Sequence, residues 1–116
     1  MAFTTNFDTS NKADFVVDLS ATDAETGDDI DFTGADVAIA ISATGDTSSA
    51  PLISATIANG LITQPSSTVI ELSIPAAQMA ALQPGTYQID GIYELSGQTF
   101  ELINGAFVVH YTAASL

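Results

Sequence analysis

The sequence predicts an all-β fold: an antiparallel β-sandwich of seven to eight short strands with one short connecting helix near residues 75–82. Large apolar residues alternate with small or polar ones along most of the chain, which is the period of strands that bury one face. Turn-forming residues recur at short intervals between these segments, and only one stretch has a helix-forming composition. Many short strands separated in this way are typical of a sandwich that is immunoglobulin-like in outline.

Four strands are predicted between residues 15 and 63. Residues 15–19 form a short apolar run of β-forming residues, and residues 37–41 alternate valine or isoleucine with alanine. Residues 52–57 and 61–63 are two further strands, with Asn59-Gly60 between them. Because both turn residues tolerate positive φ angles, the sequence predicts a hairpin at this point.

A strand at residues 68–73 is followed by the one segment that is predicted to be helical. Pro75 suits the first turn of a helix, the alanines after it favour the helical state, and Pro84-Gly85 ends it. The run from Leu82 to Tyr87 is typical of a tyrosine corner, in which a tyrosine hydroxyl ties a loop to the backbone of a sandwich. The helix is therefore expected to connect two strands.

The clearest alternation in the chain is at residues 87–93. Ser96-Gly97 predicts a tight turn, after which residues 98–103 return as the next strand. Asn104-Gly105 is expected to form a turn or a bulge, and a strand at residues 106–111 completes the fold.

The length of the chain, 116 residues, is that of one domain. Residues 1–12 are polar apart from Phe3 and Phe7, so the sequence predicts an N-terminal arm there and a single sandwich domain over residues 13–116. An arm with apolar side chains can insert into a neighbouring protein. Phe3 and Phe7 are therefore the candidate partner-binding residues.

The charge balance is strongly acidic, with 14 Asp and Glu residues against one Lys or Arg and a net charge of −13. Lys12 and His110 are the only basic side chains, so the chain lacks the positive surface that nucleic acids and anionic lipids require. No apolar run approaches the ~20 residues of a membrane span, and the first residues lack the pattern of a signal peptide. We therefore expect no nucleic-acid partner and no membrane.

Five acidic residues cluster between the first two predicted strands: Asp23, Glu25, Asp28, Asp29 and Asp31. Carboxylates at alternating loop positions can supply the roughly six to eight oxygen ligands of Ca²⁺, so these five residues are a candidate calcium site. Their spacing does not match the helix–loop–helix calcium motif. A solvated hairpin loop is the alternative, and the sequence favours it.

The chain lacks the residue patterns of an enzyme. His110 is the single histidine, it lies in a predicted strand, and no Gly-x-Ser-x-Gly motif presents a nucleophilic serine. No cysteine can supply a thiolate or a metal ligand, and no tryptophan can form a sugar-binding platform. The sequence thus predicts a protein that is not an enzyme and that binds no cofactor.

Three segments, in this order, resemble a family of small phage virion modules: Asp31–Val37, Leu72–Tyr87 and Phe100–Val109. Their succession is Asp-Phe-Thr-Gly-Ala-x-Val, an alanine-rich helical turn, Leu-x-Pro-Gly-x-Tyr and Gly-x-Phe-x-Val. It is similar to the immunoglobulin-like N-terminal module of phage baseplate upper proteins and to small phage head and tail structural proteins. The resemblance spans about residues 13–110, and the chain departs from the pattern by lacking arginine and lysine on its strands.

The resemblance implies a non-enzymatic structural protein that is located in the virion. Its expected partners are other virion proteins, either the major capsid protein or tail components, and its copies are expected to form a homo-oligomer. A capsid decoration (cement) protein that stabilises the head lattice is the leading hypothesis, because one small domain suits the decoration of a lattice. A tail or baseplate adaptor is the first alternative, and a carbohydrate- or calcium-binding sandwich module is the second.

Overall fold

The structure is a computed structural model and describes residues 3–4, 6–23, 25–43 and 51–113, with the backbone alone for residues 3–4. Within these residues the chain forms nine strands and one short helix. In chain order the elements are β1 (Phe3–Thr4), β2 (Phe7–Ser10), β3 (Phe15–Leu19), β4 (Asp36–Ala43), β5 (Ile53–Thr56), β6 (Ile62–Ser66), β7 (Val69–Ile74), α1 (Ala76–Met79), β8 (Gly85–Leu95) and β9 (Gln98–His110).

The strands form two sheets. The larger sheet has the order β5–β4–β8–β9, and β1 and β2 both lie along the far side of β9. The smaller sheet has the order β3–β7–β6. Neighbouring strands in the described residues are antiparallel, except that β1 and β2 run parallel to β9. The predicted all-β, sandwich-like architecture is confirmed.

One hydrophobic core joins the two sheets, because alternate residues of each strand point to the same side. Its strand residues include Val37, Ile39 and Ile41 from β4, Ile70, Leu72 and Ile74 from β7, and Ile89 and Tyr93 from β8. Each fully buried large aliphatic side chain contributes roughly 1.5–3 kcal/mol by leaving water. Phe32 is also fully buried, although it belongs to the loop before β4.

β8 and β9 form the hairpin that Ser96-Gly97 predicts. Both turn residues have a positive φ, 55° at Ser96 and 79° at Gly97, which suits the twist of a two-residue turn. The ladder contains one bulge, at Leu102, so that Leu102 and Ile103 are both buried. Asn104-Gly105, where the sequence predicted a turn or a bulge, continues the strand beyond that irregularity.

The prediction of a hairpin at Asn59-Gly60 is wrong. β5 pairs with β4 in the larger sheet and β6 pairs with β7 in the smaller one, so the chain crosses between the sheets here. The Asn59 Oδ1 atom accepts the N–H groups of Thr56 and Leu61. Its Nδ2 atom donates to the Ser54 carbonyl oxygen. An asparagine that binds its own neighbours makes a local turn that needs no paired strands.

The predicted connector helix is present as α1, within the region of residues 75–82. The N–H group of Ala76 donates to Asp14 Oδ1 at 2.7 Å, so a residue far away in the sequence caps the helix. Met79 and Leu82 are buried and attach this connection to the core. In the described part of the chain, no helix has the length and the apolar composition needed to cross a membrane.

The tyrosine corner predicted at Leu82–Tyr87 is confirmed. The Tyr87 hydroxyl donates to the Gln83 carbonyl oxygen at 2.6 Å. The bond ties the start of β8 to the loop that connects it with α1. It therefore fixes the direction in which β8 enters the larger sheet.

Replacing Tyr87 with phenylalanine is expected to lower the free energy of unfolding by about 1 kcal/mol, because the change removes one hydrogen bond and keeps the ring. Urea unfolding followed by circular dichroism measures this loss. Tyr111→Phe is the control, since Tyr111 is 65% exposed, and a change below about 0.5 kcal/mol is expected there. Equal losses in the two variants would contradict a stabilising role for the corner.

The N-terminal arm predicted for residues 1–12 is, in the described residues, part of the larger sheet. β2 lies parallel to β9, with Phe7 opposite Phe107. Just before β2, Asn6 Oδ1 accepts the N–H group of Ala106 at 3.1 Å. The local sequence pattern did not reveal this strand, because the partner strand follows 100 residues later.

Candidate functional site

The acidic segment between β3 and β4 folds as a hydrogen-bonded loop. The N–H group of Asp23 donates to the Asp28 carbonyl oxygen at 2.8 Å, which closes the loop. Inside it, Asp23 Oδ1 accepts the N–H group of Glu25 at 2.8 Å and that of Thr26 at 3.2 Å. Aspartate commonly makes such turns with the residues that follow it. The segment thus has the form of the solvated hairpin loop that the sequence favoured.

Two carboxylates of this segment have a pKa below the usual value for aspartate. At Asp23 the cause is the pair of hydrogen bonds from the N–H groups of Glu25 and Thr26. At Asp31 the pKa is lowered by hydrogen bonds from the Thr33 side chain and N–H group. Because the folded pKa is depressed, both groups stabilise the fold above their unfolded pKa, and this contribution is lost as the pH falls through the folded pKa.

The acidic loop lies close to an aromatic group at the end of the core. Burial raises the pKa of the Tyr93 hydroxyl, and the negative charge of Asp23 raises it further. The Tyr93 ring packs edge-on against Phe32, with ring centroids 5.2 Å apart, and stacks on Phe100 at 5.3 Å. The N–H group of Phe32 donates to the Ser67 carbonyl oxygen at 2.7 Å. Phe32 therefore anchors the loop to both sheets.

The structure does not bring the predicted calcium ligands together. Among the residues it describes, no three side chains of histidine, cysteine, aspartate or glutamate are grouped so as to hold a metal ion. The described residues include all five candidates: Asp23, Glu25, Asp28, Asp29 and Asp31. Two of these, Asp23 and Asp31, bind backbone N–H groups through their carboxylates. Calcium binding in this loop stays a prediction that needs a direct test.

We expect Ca²⁺ to leave the melting temperature of the protein unchanged, because the structure groups no three of the acidic side chains it describes so as to hold a metal ion. The measurement is a melting curve by circular dichroism, in a chelator and in millimolar Ca²⁺. Millimolar Mg²⁺ is the control for general screening of the acidic charge. A melting temperature that rises with Ca²⁺ and not with Mg²⁺ would contradict the expectation, because a ligand bound only by the folded state stabilises it by mass action.

The candidate partner-binding residue Phe7 packs within its own chain. Its ring lies edge-on to Phe15 with centroids 5.3 Å apart, and Phe15 lies edge-on to Phe107 at 5.0 Å. Phe7 thus joins β2 to the core. The backbone of Phe3 pairs with Ile103 in β9, whereas the Phe3 side chain lies outside the described residues.

His110 lies in a strand, as predicted, and makes one side-chain contact with β2. Its Nδ1 atom lies 2.8 Å from Asp8 Oδ1 across the pairing of β2 with β9. Both side chains are more than half exposed, so water screens the interaction and its contribution to stability is small. The pair helps to hold β2 in place.

The outward face of the larger sheet carries an acidic depression that the sequence analysis missed. It has a volume of about 570 Å³ and lies over β8 and β9. Its polar lining includes two pairs: Gln88 Nε2 donates to Asp90 Oδ2, and Asn104 Nδ2 donates to Glu101 Oε1. Each carboxylate keeps further acceptor positions, so the depression can receive hydrogen-bond donors or positive charge. Only the pairing of β8 with β9 brings these residues together.

Comparisons with known proteins assign the chain to no family. No protein-family model matches it, and no curated protein matches it. The fold and the surface are therefore the basis for a proposal on function.

Proposed function

We propose that this chain is a non-enzymatic structural protein of a phage virion, most simply a capsid decoration protein that binds the head lattice. The observation that carries the proposal is the strand order around the tyrosine corner. The protein acts in several copies, and its partners are the major capsid protein or other proteins of the virion.

The strand order supports an immunoglobulin-like assignment. In that fold, strands A, B, E and D form one sheet, and strands C, F and G form the other. β3, β7 and β6 have the order of B, E and D, while β4, β8 and β9 have the order of C, F and G. β5 lies where C′ extends the second sheet of variable-type domains. Tyr87 lies at the start of β8, the position of strand F, as in the tyrosine corner of these domains.

The three segments that resemble phage virion modules are neighbours in the fold. Asp31–Val37 leads into β4, Leu72–Tyr87 contains the end of β7, α1 and the start of β8, and Phe100–Val109 lies in β9. β4, β8 and β9 are adjacent strands of the larger sheet. The three segments thus lie together in the molecule. This favours the interpretation that they belong to one module over the interpretation that they are three unrelated turns.

The charge of the protein supports a role in assembly. A net charge of −13 attracts basic surfaces of other proteins. Two carboxylates, Asp90 and Glu101, line the depression on the outward face of the larger sheet. A rigid acidic face of this kind favours docking onto a basic protein surface.

Particles of the virus that encodes the chain provide the test. Purified particles are separated into heads and tails, and the chain in each fraction is quantified by mass spectrometry against the major capsid protein. We expect the chain in the head fraction at a fixed ratio to the capsid protein. Its presence in tails alone would overturn the decoration role in favour of the adaptor alternative, and its absence from both fractions would overturn the whole proposal.

Light scattering at low and high salt tests the oligomeric state separately. A trimer or another closed oligomer at both salt concentrations is the expected result. A monomer under both conditions would overturn the homo-oligomer and indicate a module that assembles only on its lattice.

A further inference from the structure

We propose that the outer edge of β3 is a docking edge, which takes an extended, lysine- or arginine-bearing segment of another virion protein as an added strand. The assignment of the partner to the virion rests on the proposed function, whereas the edge and the charge of the partner rest on the geometry of this chain. Strand addition of this type gains affinity from backbone hydrogen bonds and specificity from alternate side chains.

The two sheets have four outer edges, and the edge of β5 is capped. Unpaired N–H and C=O groups at an edge invite another strand, and proteins limit this with side chains, prolines, bulges or short strands. Asn59 Nδ2 donates to the Ser54 carbonyl oxygen at 2.8 Å, and Asn59 Oδ1 accepts the Thr56 N–H group at 3.0 Å. These bonds occupy a donor and an acceptor of β5 that an added strand would use.

Two other edges are irregular or short. β6 contains Pro65, which has no N–H group, and its pairing with β7 changes register between Thr63 and Ser66. β1 and β2 have two and four residues, and β2 carries the exposed charge of Asp8. Neither edge offers five consecutive residues that pair in one continuous register.

The edge of β3 carries one exposed charge, Asp18, but no proline and no irregularity in its pairing. Its five residues pair with β7 in one continuous register, from Phe15 opposite Ile74 to Leu19 opposite Ile70, and include no proline or lysine. In the part of the chain that the structure describes, β7 is the only strand that pairs with β3. Strand A of an immunoglobulin-like sheet lies beside strand B. Here β1 and β2 lie on β9, so the described strands leave the position beside β3 unfilled.

The charge at this edge specifies a basic partner. Asp18 in β3 lies directly opposite Glu71 in β7, on the outward face of the smaller sheet. Like charges in this relation destabilise a sheet. A basic side chain opposite Asp18 on an added strand would neutralise this pair. Val16 is 55% exposed two residues away on the same face and would contact the next outward side chain of that strand.

A second pair of like charges shows why position matters. Asp36 in β4 lies directly opposite Glu94 in β8. Glu94 lies between β4 and β9, and Asp36 lies just before the part of β4 that pairs with β5, which begins at Ala38. The pair at Asp18 and Glu71 differs because β3 is an edge strand.

A second copy of this chain is a poorer occupant of the edge than a basic segment. Each copy brings a net charge of −13, and β3 of a second copy would bring another Asp18 without a lysine or an arginine. The copies of the proposed homo-oligomer therefore meet through other surfaces.

Binding of synthetic peptides to the full chain tests the proposal. The probe is a peptide of about eight residues with alternating valine and threonine and one central lysine, and its partner peptide has glutamate in place of that lysine. Amide chemical shifts of the isotope-labelled protein locate the site. We expect changes centred on Phe15–Leu19 and binding of the lysine peptide that is about tenfold tighter. Equal binding of both peptides would overturn the charge assignment, and changes centred on another edge would overturn the site.

Two charge-reversal variants separate a local effect from the net charge. Asp18→Lys is expected to raise the melting temperature, because it converts the like-charge pair with Glu71 into an ion pair, and to weaken the lysine peptide about tenfold. Asp36→Lys is the matched control, with the same change in net charge and the same relief of a facing carboxylate, Glu94. It should keep the peptide affinity within about twofold, because Asp36 lies in the larger sheet and β3 lies in the smaller one. Equal weakening in both variants would overturn docking at β3.

Hydrogen exchange of the chain without peptide tests whether a second copy of the chain pairs with the edge of β3. We expect the N–H groups of β3 that point away from β7 to exchange with solvent at a rate that does not depend on protein concentration. Protection that grows with concentration would overturn the heterologous partner in favour of self-pairing. These measurements do not involve virus particles, so a failure at the edge leaves the virion role intact, and a failure of the particle experiment leaves the edge intact.

Discussion

Replacement of Phe32 with alanine is expected to lower the free energy of unfolding by about 3–5 kcal/mol, because it removes a fully buried ring and leaves a cavity. The ring packs against Tyr93 of β8, and the N–H group of Phe32 bonds to Ser67 between β6 and β7. Because Phe32 contacts both sheets, a rearrangement of its loop alone cannot fill the space that its ring leaves. Urea unfolding followed by circular dichroism measures the loss.

Phe100→Ala is the matched control, because Phe100 stacks on the other side of the same Tyr93 ring and is 41% exposed. A loss of about 1 kcal/mol is expected there. If Phe100→Ala cost as much as Phe32→Ala, the burial of Phe32 could not be the source of its effect.

Replacement of Gly91 with alanine is expected to lower the free energy of unfolding by about 1–3 kcal/mol through overpacking. Gly91 lies in β8 between Ile39 of β4 and Ile103 of β9. A Cβ atom at this position would be 2.9 Å from Ile39 Cγ1, 3.0 Å from Ile103 Cγ2 and 3.3 Å from the Ala38 carbonyl oxygen. The two isoleucine side chains occupy the space that a residue at this position would need.

A double-mutant cycle with Ile39→Ala checks this explanation. That change removes the Cγ1 atom nearest to the new methyl group, so the double variant should lose about 1 kcal/mol less than the sum of the two single losses. The same urea unfolding measurement gives all four free energies. Strictly additive losses would indicate that contact with Ile39 is not the cause.

The parts of the fold that depend on near neighbours in the sequence were predictable. The alternation at residues 37–41 and 87–93 reflects strands with one buried face, and Ser96-Gly97 forms its turn with two positive φ angles. The tyrosine corner was also predictable, because Gln83 and Tyr87 lie only four residues apart. Local chemistry determines each of these features.

The parts that depend on distant residues were not predictable from pattern. Asp14 caps α1 from 62 residues away, and the pairing of Phe7 with Phe107 turned the predicted arm into β2. Asn59-Gly60 has the composition of a hairpin turn, yet the strands on its two sides pair in different sheets. No local pattern distinguishes these outcomes, because the competing partners are brought together only by the fold.

The candidate sites follow the same division. The acidic residues at 23–31 were visible in the sequence, but their hydrogen bonds to backbone N–H groups were not. The open edge of β3 depends on where β1 and β2 pair, and the opposition of Asp18 and Glu71 depends on strand register. Composition gave the sign of the charge, and only the topology showed where a partner would meet it.

The parallel pairing of β2 with β9 also constrains the time course of synthesis. Phe7 lies about 100 residues before its partner Phe107, and a ribosome adds about 5–20 residues per second. β2 therefore waits roughly 5–20 s for the strand that it joins. During this interval its phenylalanine is exposed to solvent and to other nascent chains. An early strand of this protein is thus among the last to reach its place in the fold.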